Sequence, residues 1–353
     1  MLHCRDRIVL TGRKVVIHRA LDVTMEEFEM PEQSRSRDVL IQTEWSFIST
    51  GTELANFTGR DRGVYIPGNW NAYPYVPGYA NCGRVLACGA HAAELEVGQR
   101  VFTMAKHVSH HWVPTDDPDC LLVPVPEDIS GDVAAAMRMG LVAMTALQTS
   151  EFDLNDHVAI LGLGLVGNLA AQLFALSGAR VIGVDPVESR RALARRVGVE
   201  HVIGEDSEMI EEQLRDLSGG GVGVVVDAVG HAAIAASGIR AVKPYGEVIL
   251  LGSPRQEYTE DLNRFLEPIH YQWVTIKGAL EHRIPRNPGR GIRRSVASNA
   301  AAVLDLVRSG RLEFDKLISH RMRPDHIGRA YDGLLNHPET YWGVALDWNP
   351  DLG

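Results

Sequence analysis

The sequence predicts an α/β protein in which a doubly wound parallel sheet is preceded by a separate, mostly β domain. Three observations carry this. From about residue 155 short β-branched runs alternate with amphipathic helical stretches, the pattern of a parallel sheet covered on both faces. Before about residue 126 short β-type runs are broken by Gly and Pro. Between strand and helix stands a glycine-rich turn, Gly162-Leu163-Gly164-Leu165-Val166-Gly167.

In chain order, the first strands are read at 39–45, 82–88 and 99–104, with a turn at Gly98 before the third. Pro124 and Pro126 rule out a helix where the chain leaves the β region. Ser130 is a plausible N-cap for an Ala- and Met-rich helix over 131–150 that bridges the two halves. Strands then follow at 157–161, 180–185, 201–203, 223–229, 247–252 and 273–279, with helices at about 165–178, 187–197, 207–217 and 231–241. The segment 255–272 is long for a connection and is expected to form a helix over the site or to contact a partner subunit. The tail reads as helix 297–309, strand 316–322, helix 325–336 and strand 341–348.

With 353 residues, 45% hydrophobic and 23% charged, the chain has the composition of a globular protein of about two domains. A formal charge of −10 has the wrong sign for a phosphate-backbone binder, so no nucleic-acid partner is expected. Cys4, Cys82, Cys88 and Cys120 form no C-x-x-C pair and are read as reduced thiols. The charges Arg5, Asp6 and Arg7 interrupt any apolar leader, and no run reaches the roughly 18 apolar residues of a membrane span, so a soluble cytoplasmic protein without a membrane partner is expected.

The glycine turn carries the chemistry. Gly162 permits the tight turn, Gly164 lets the backbone approach a pyrophosphate, and Gly167 lets helix and strand pack closely, while Leu165 and Val166 open the helix whose N-terminus is an anion site. Asp185 ends the next strand, 23 residues after Gly162, where an acid accepts hydrogen bonds from ribose hydroxyls and repels a 2′-phosphate. NAD is therefore expected over NADP, although Arg190 and Arg191 stand close enough in sequence to hold a 2′-phosphate. Val229, Gly252 and Ser253, at the ends of later strands, complete the expected cofactor-binding set.

Taken together, ISTGTELANFTG (48–59), VPGYANCGRV (76–85), GQRVF (98–102), GLGLVG (162–167), VDAVG (226–230) and LVRSGRLEFDKLISHRM (306–322) resemble the medium-chain dehydrogenase/reductase superfamily. That resemblance implies a GroES-like catalytic domain at 1–141, a Rossmann domain at 142–284 and a return to the catalytic domain at 285–353. It also implies a homodimer or homotetramer paired through the strand near 273–279. Zinc-dependent members carry Cys, His-Glu and a further ligand where this chain has Thr50, Tyr79-Ala80 and Arg138. Hydroxyl, phenol and guanidinium do not make a tight zinc site, so no metal is expected. The motif around Thr50, with HVSHHWVP at 107–114, is similar to the branch of bacteriochlorophyllide 2-hydroxyethyl dehydrogenases, which oxidise a secondary alcohol with NAD.

Without zinc, hydride transfer at an alcohol carbon still needs a proton acceptor and a stabiliser for the developing alkoxide. The residues at the former ligand positions are the candidates: Arg138 as a permanent cation, Tyr79 as a phenol able to donate or relay, and Glu53 as base or orienter. Thr52 is a candidate relay hydroxyl, and His107 and His110 titrate near neutrality. His110 and His111 are strand neighbours and face opposite ways. The structural alternatives are an Arg138–Glu53 ion pair that fills the vacated site and a core role for Tyr79. Thr50 and Trp70, the latter in an aromatic loop with Tyr73 and Tyr75, are the expected substrate contacts. The function so read is a zinc-independent, NAD-dependent alcohol dehydrogenase or ketone reductase for a hydroxylated secondary alcohol of the sugar, cyclitol or specialised-metabolite class. Its rivals are a zinc-free quinone or enone reductase and a dinucleotide-binding protein without turnover.

Overall fold

The computed structural model of the protein describes residues 10–32, 36–92, 95–204 and 209–350, so Cys4, Arg5, Asp6 and Arg7 fall outside it. The described chain opens with an antiparallel hairpin of β1 (Thr11–Arg19) and β2 (Asp22–Glu29), which the sequence reading did not contain. After β3 (Asp38–Phe47) comes a second unanticipated element, helix α1 (Thr50–Phe57), formed by the ISTGTELANFTG motif itself. Strands β4 (Asn81–Cys88), β5 (Arg100–Thr103), β6 (His110–Pro114) and β7 (Leu122–Pro124) follow.

The bridging helix α2 (Gly131–Thr149) starts after Ser130, which occupies the cap position without a side-chain hydrogen bond. Alanine and glycine let its neighbours come close. Ala134, Ala135, Ala136, Ala143 and Ala146 are fully buried, and a Cβ on Gly140 would stand 2.8 Å from the Phe314 ring. Helix α2 therefore contributes to one continuous core shared by both halves of the molecule.

Next come β8 (His157–Leu161), α3 (Leu165–Leu176), β9 (Arg180–Val184), α4 (Glu188–Arg196) and β10 (His201–Ile203). They are followed by α5 (Ile210–Ser218), β11 (Val222–Asp227), α6 (Ala232–Ala241), β12 (Val242–Leu250), α7 (Leu262–Gln272) and β13 (Thr275–Gly278). The six strands are parallel in the order β10-β9-β8-β11-β12-β13, the doubly wound order whose switch point lies between β8 and β11. Strand β13 is shorter than the apolar run that predicted it, because Trp273 takes a left-handed conformation as the C-cap of α7. Helix α7 packs on α6 and β12.

The tail contains α8 (Val296–Arg308), β14 (His320–Met322), α9 (Ile327–Asn336) and β15 (Val344–Asp347). The expected strand at 316–322 is cut to three residues because Asp315–Leu317 turns as a 3-10 helix. Strands β14 and β15 join the first sheet in the order β14-β15-β3-β4-β5-β7, with β6 also on β3. The fold is thus a Rossmann-like parallel sheet with a separate mostly β unit, both completed by helices. Among the described residues no helix is long and apolar enough to cross a membrane.

Strand β6 fixes the histidines as alternation requires. His111 turns inward, where its Nε2 meets Thr103 Oγ1 at 3.0 Å and its Nδ1 is buried without a partner. Burial, aided by the adjacent His110, pushes its pKa from 6.5 down to about 3. Between those values the unfolded chain binds a proton that the folded chain refuses, so stability falls as pH drops through this window and is unaffected above it. His111→Gln is expected to flatten the unfolding free energy against pH by up to about 1.4 kcal/mol per pH unit there. Chemical denaturation from pH 7 to 4 checks this, and parallel curves would contradict it.

Candidate active site

A cavity of about 540 Å³ runs along the C-terminal ends of β8, β9 and β11 and reaches α1 and the start of β15. One wall is the glycine turn. Gly162 has φ +92°, open to glycine and strained for other residues, and a Cβ on Gly167 would lie 1.8 Å from the Gly162 carbonyl oxygen. Around Gly164 nothing approaches within 4 Å of a Cβ position, and it caps α3 without a side-chain bond, so the first N–H groups of that helix face an open cradle. Leu165, Val166 and Val229 line the same wall.

Asp185 sits on that wall and is buried. Its carboxylate also has an architectural task, accepting the N–H groups of Leu163 and Val187, both at 2.8 Å. Arg190 approaches it at 3.6 Å, and its Nε has no partner. Arg191 is committed elsewhere, donating to the carbonyls of Asp185 and Pro186 at 2.7 and 2.8 Å. Asp227, inside the VDAVG motif, accepts the N–H groups of Val229 and Gly230 and so shapes the neighbouring turn. Gly252 and Ser253 lie behind this turn, against Gly230, and not on the cavity wall.

The opposite wall comes from Ser49, Thr50, Gly51, Met139, Tyr341 and Trp342. Ser49 Oγ is hydrogen-bonded to the Tyr79 hydroxyl, and Tyr79 lies under Arg138, whose guanidinium carbon is 5.0 Å from the ring centroid. Arg138 is 1% exposed. One nitrogen donates to Glu281 at 2.8 Å, while Nε and Nη1 are buried without partners. The partner of Arg138 is therefore Glu281, from the 3-10 turn after β13, and not Glu53 as the alternative reading had it. Glu281 also receives Arg286 at 3.0 Å.

Glu53 instead anchors a buried network. It accepts the Ser49 N–H at 2.8 Å, the Tyr331 hydroxyl at 2.8 Å and His107 Nε2–H at 2.9 Å. His107 Nδ1 meets Ser46 Oγ at 2.8 Å, and Ser46 accepts Trp348 Nε1–H at 2.8 Å. Burial, and then the Glu53 carboxylate, hold the Tyr331 phenol well above its ordinary pKa, so it remains a donor. His107 and Glu53 thus meet, but away from the cavity wall and with His107 saturated on both nitrogens. Thr52 is half-buried on α1 and off the wall. His110 bonds to neighbouring Ser109 at 3.0 Å and does not join His107. Trp70 is 61% exposed, edge-on to Tyr75, and is not a cavity residue. Sequence reasoning missed Glu281, Tyr331, Tyr341 and Trp342, all brought in by the tail or by the end of the second sheet, more than 200 positions from Tyr79.

The residues at the positions of a family zinc site do not fit that metal. Thr50 offers a hydroxyl, Tyr79 a phenol already bonded to Ser49, and Arg138 a cation. Among the described residues no three of His, Cys, Asp and Glu converge on a metal-sized site.

Residues 166–288 match the family model described as zinc-binding dehydrogenase, a span that excludes Thr50, Tyr79 and Arg138. An alcohol dehydrogenase of Cupriavidus necator (strain H16) is 24% identical over 286 residues, covering 79% of this chain and 74% of its own. A D-xylulose reductase of Scheffersomyces stipitis is 22% identical over 363 residues, covering 90% and 94%. The crystal structure of 2R,3R-butanediol dehydrogenase from Bacillus subtilis aligns with a TM-score of 0.78 at 19% identity, over 96% of this chain and 100% of that one. The fold is that of the two-domain dehydrogenases with a Rossmann-like sheet. In sequence the chain is thus similar to alcohol dehydrogenases, and in fold to a butanediol dehydrogenase.

Removing one member of the buried Arg138–Glu281 pair leaves the other uncompensated. Glu281→Ala is expected to destabilise the protein by about 3–5 kcal/mol, and Arg138→Met combined with Glu281→Leu by much less. Urea denaturation of the three proteins checks this; equal losses in the single and double variants would show that shape, not charge, dominates.

Proposed function

We propose that this protein is an NAD-dependent, zinc-independent alcohol dehydrogenase or ketone reductase acting on a hydroxylated secondary alcohol, of the sugar, cyclitol or specialised-metabolite class. Within the superfamily this corresponds to the zinc-free branch similar to bacteriochlorophyllide 2-hydroxyethyl dehydrogenases. The observation that carries the reading is a single cavity with a dinucleotide cradle on one wall and, behind the other, a phenol stacked on a buried guanidinium with two unpaired nitrogens. The alcohol and polyol dehydrogenases among the relatives agree with it at the level of reaction class.

The N–H groups at the start of α3 and the Gly162–Gly167 turn would hold the pyrophosphate, and Asp185 the ribose hydroxyls. The buried Asp185 carboxylate opposes a 2′-phosphate, and with Arg191 tied to backbone carbonyls the balance favours NAD. When bound, the nicotinamide supplies the hydride acceptor or donor. In the reductive direction Ser49 Oγ, on the wall, would give its proton to the alkoxide oxygen and take one from the Tyr79 hydroxyl it already touches, leaving a tyrosinate beside the Arg138 cation; alcohol oxidation would run the same path in reverse, from tyrosinate to phenol. Arg138 places a fixed positive charge beside the place where negative charge grows, the role that a metal serves elsewhere. Met139 supplies an apolar surface that limits water. Assembly as a homodimer or homotetramer through the outer strand β13 belongs to the same proposal.

The reading is tested by assaying purified protein with NAD and a panel of secondary alcohols while measuring bound metal. Turnover is expected in protein with less than about a tenth of a zinc per chain and is expected to persist in chelator; stoichiometric zinc, or reduction of enones with NADPH in place of alcohol oxidation, would refute it. Tyr79→Phe is expected to lower turnover by roughly 10²-fold or more with NADH affinity intact. A fully active Phe variant would remove Tyr79 from the chemistry.

A further inference from the structure

The stretch from His282 to Leu304 contains no aspartate, glutamate or lysine, yet it holds five arginines, Arg283, Arg286, Arg290, Arg293 and Arg294, all within twelve positions. In a chain of formal charge −10 this is a local reversal of sign. The arginines occupy the 3-10 turn Glu281–Arg283 and the irregular connection from it to α8.

Two of the five are structural. Arg286 donates to Glu281 at 3.0 Å and to His282 Nδ1 at 3.0 Å, and Arg294 donates to the Gln148 carbonyl. Asn287 adds a third tether, donating to the carbonyls of Pro118 and Cys120 at 3.1 and 3.0 Å. Pro285 and Pro288 restrict the backbone between the tethers. Arg283, Arg290 and Arg293 are exposed, and among the described residues none of the three has a hydrogen-bond or ion-pair partner. The nearby acids do not serve them: Glu281 is committed to Arg138 and Arg286, and Asp116, Asp117 and Asp119, on the loop that Asn287 holds, do not pair with these guanidinium groups. Leu280 and Ile292, 55% and 40% exposed, add apolar surface to the same stretch.

A solvated arginine needs no partner, so three such groups on a freely moving loop would mean nothing. Here the backbone is pinned on both sides of Arg290, and much of the ordering that a binding surface requires is complete before anything binds. Composition selects the class of partner. Arginine without lysine, interspersed with apolar side chains, is the make-up of protein interfaces, and a guanidinium fork takes a carboxylate in bidentate fashion. No Phe, Tyr or Trp lies between His282 and Leu304 to stack on bases. A duplex or a charged membrane also extends past the Debye length of about 8 Å, so it meets the negative remainder of the protein as well. A short acidic segment meets the basic stretch alone.

We propose that the segment 282–294 is a docking surface for a partner protein, engaged through an exposed stretch of that partner rich in Asp and Glu with apolar residues between them, and that Arg283, Arg290 and Arg293 are its principal contacts. Nothing in this depends on the reaction carried out in the cavity.

The test uses the full chain and fluorescence anisotropy at low and high salt. Its labelled probes are a peptide of about 16 residues built from Asp, Glu and Leu, the same peptide with Asn and Gln for its acids, and a DNA duplex of about 20 base pairs, with co-sedimentation on phosphatidylserine vesicles as a fourth arm. Arg283→Gln, Arg290→Gln and Arg293→Gln are combined, leaving the tethers Arg286 and Arg294 in place. A control protein with the same change of charge carries Arg180→Gln, Arg196→Gln and Arg311→Gln, at exposed positions outside the segment. Wild type is expected to bind the acidic peptide and not its amide counterpart; the triple variant should bind it roughly tenfold more weakly or worse, and the control within about threefold, with both variants melting within about 3 °C of wild type. No binding of the acidic peptide at low salt, or equal weakening in variant and control, overturns the proposal. Tighter binding of the duplex or the vesicles than of the peptide overturns it too, by reassigning the surface to nucleic acid or membrane.

Discussion

The structure is organised around a charge placed where water does not reach. Arg138 stands on a helix buried along most of its length, and a guanidinium so placed is tolerable only if the surrounding structure supplies the compensation that water would give. Glu281 supplies it from the far end of the second sheet, through the turn that follows β13. The pair consequently ties the helix between the two halves to the last strand of the dinucleotide sheet. Small residues on the same helix make the close approach sterically possible, with Gly140 against Phe314 as the tightest case. The compensation is incomplete, since two guanidinium nitrogens remain unpaired beside the Tyr79 ring, and that remainder is what makes the region chemically interesting.

The Glu53 network has a different task. Its members come from β3, α1, the loop before β6, α9 and the chain after β15, so five separate segments converge on one carboxylate and one imidazole. With every ring nitrogen and both carboxylate oxygens occupied, the network holds the N-terminus of α1 in register and so sets where Ser49 and Thr50 face the cavity. Glu53 and His107, separate candidates in the sequence, meet in the fold as a buried pair behind the wall that carries Ser49 and Thr50. Asp185 shows the same economy of use, because it pins the glycine turn to the end of β9 while facing the cradle.

Much of the fold was legible because its signals are local. Strand, Gly162, Gly164, Gly167, helix and Asp185 follow one another within a short stretch, and each is demanded by backbone sterics or helix-end electrostatics independent of the rest of the chain. The parallel strands were readable for the same reason, as continuous β-branched runs. What escaped were elements with mixed signals: the β1–β2 hairpin, half-exposed along its length, and α1, hidden in a motif that begins with Ser-Thr-Gly-Thr. Trp70 stands exposed and off the cavity wall, a placement the sequence did not carry because an aromatic in a Pro-rich loop has no periodicity to say whether it faces inward.

By itself the sequence determined the class of architecture and the glycine turn with the acid that follows it. Both are statements about residue type and short-range spacing. The tertiary structure alone decided which charges pair and which polar atoms stay free. Arg138 lies 143 positions from Glu281, and Glu53 lies 278 from Tyr331. Pairing of buried groups is governed by desolvation and geometry in the packed state, and no pattern along the chain encodes a distance across it.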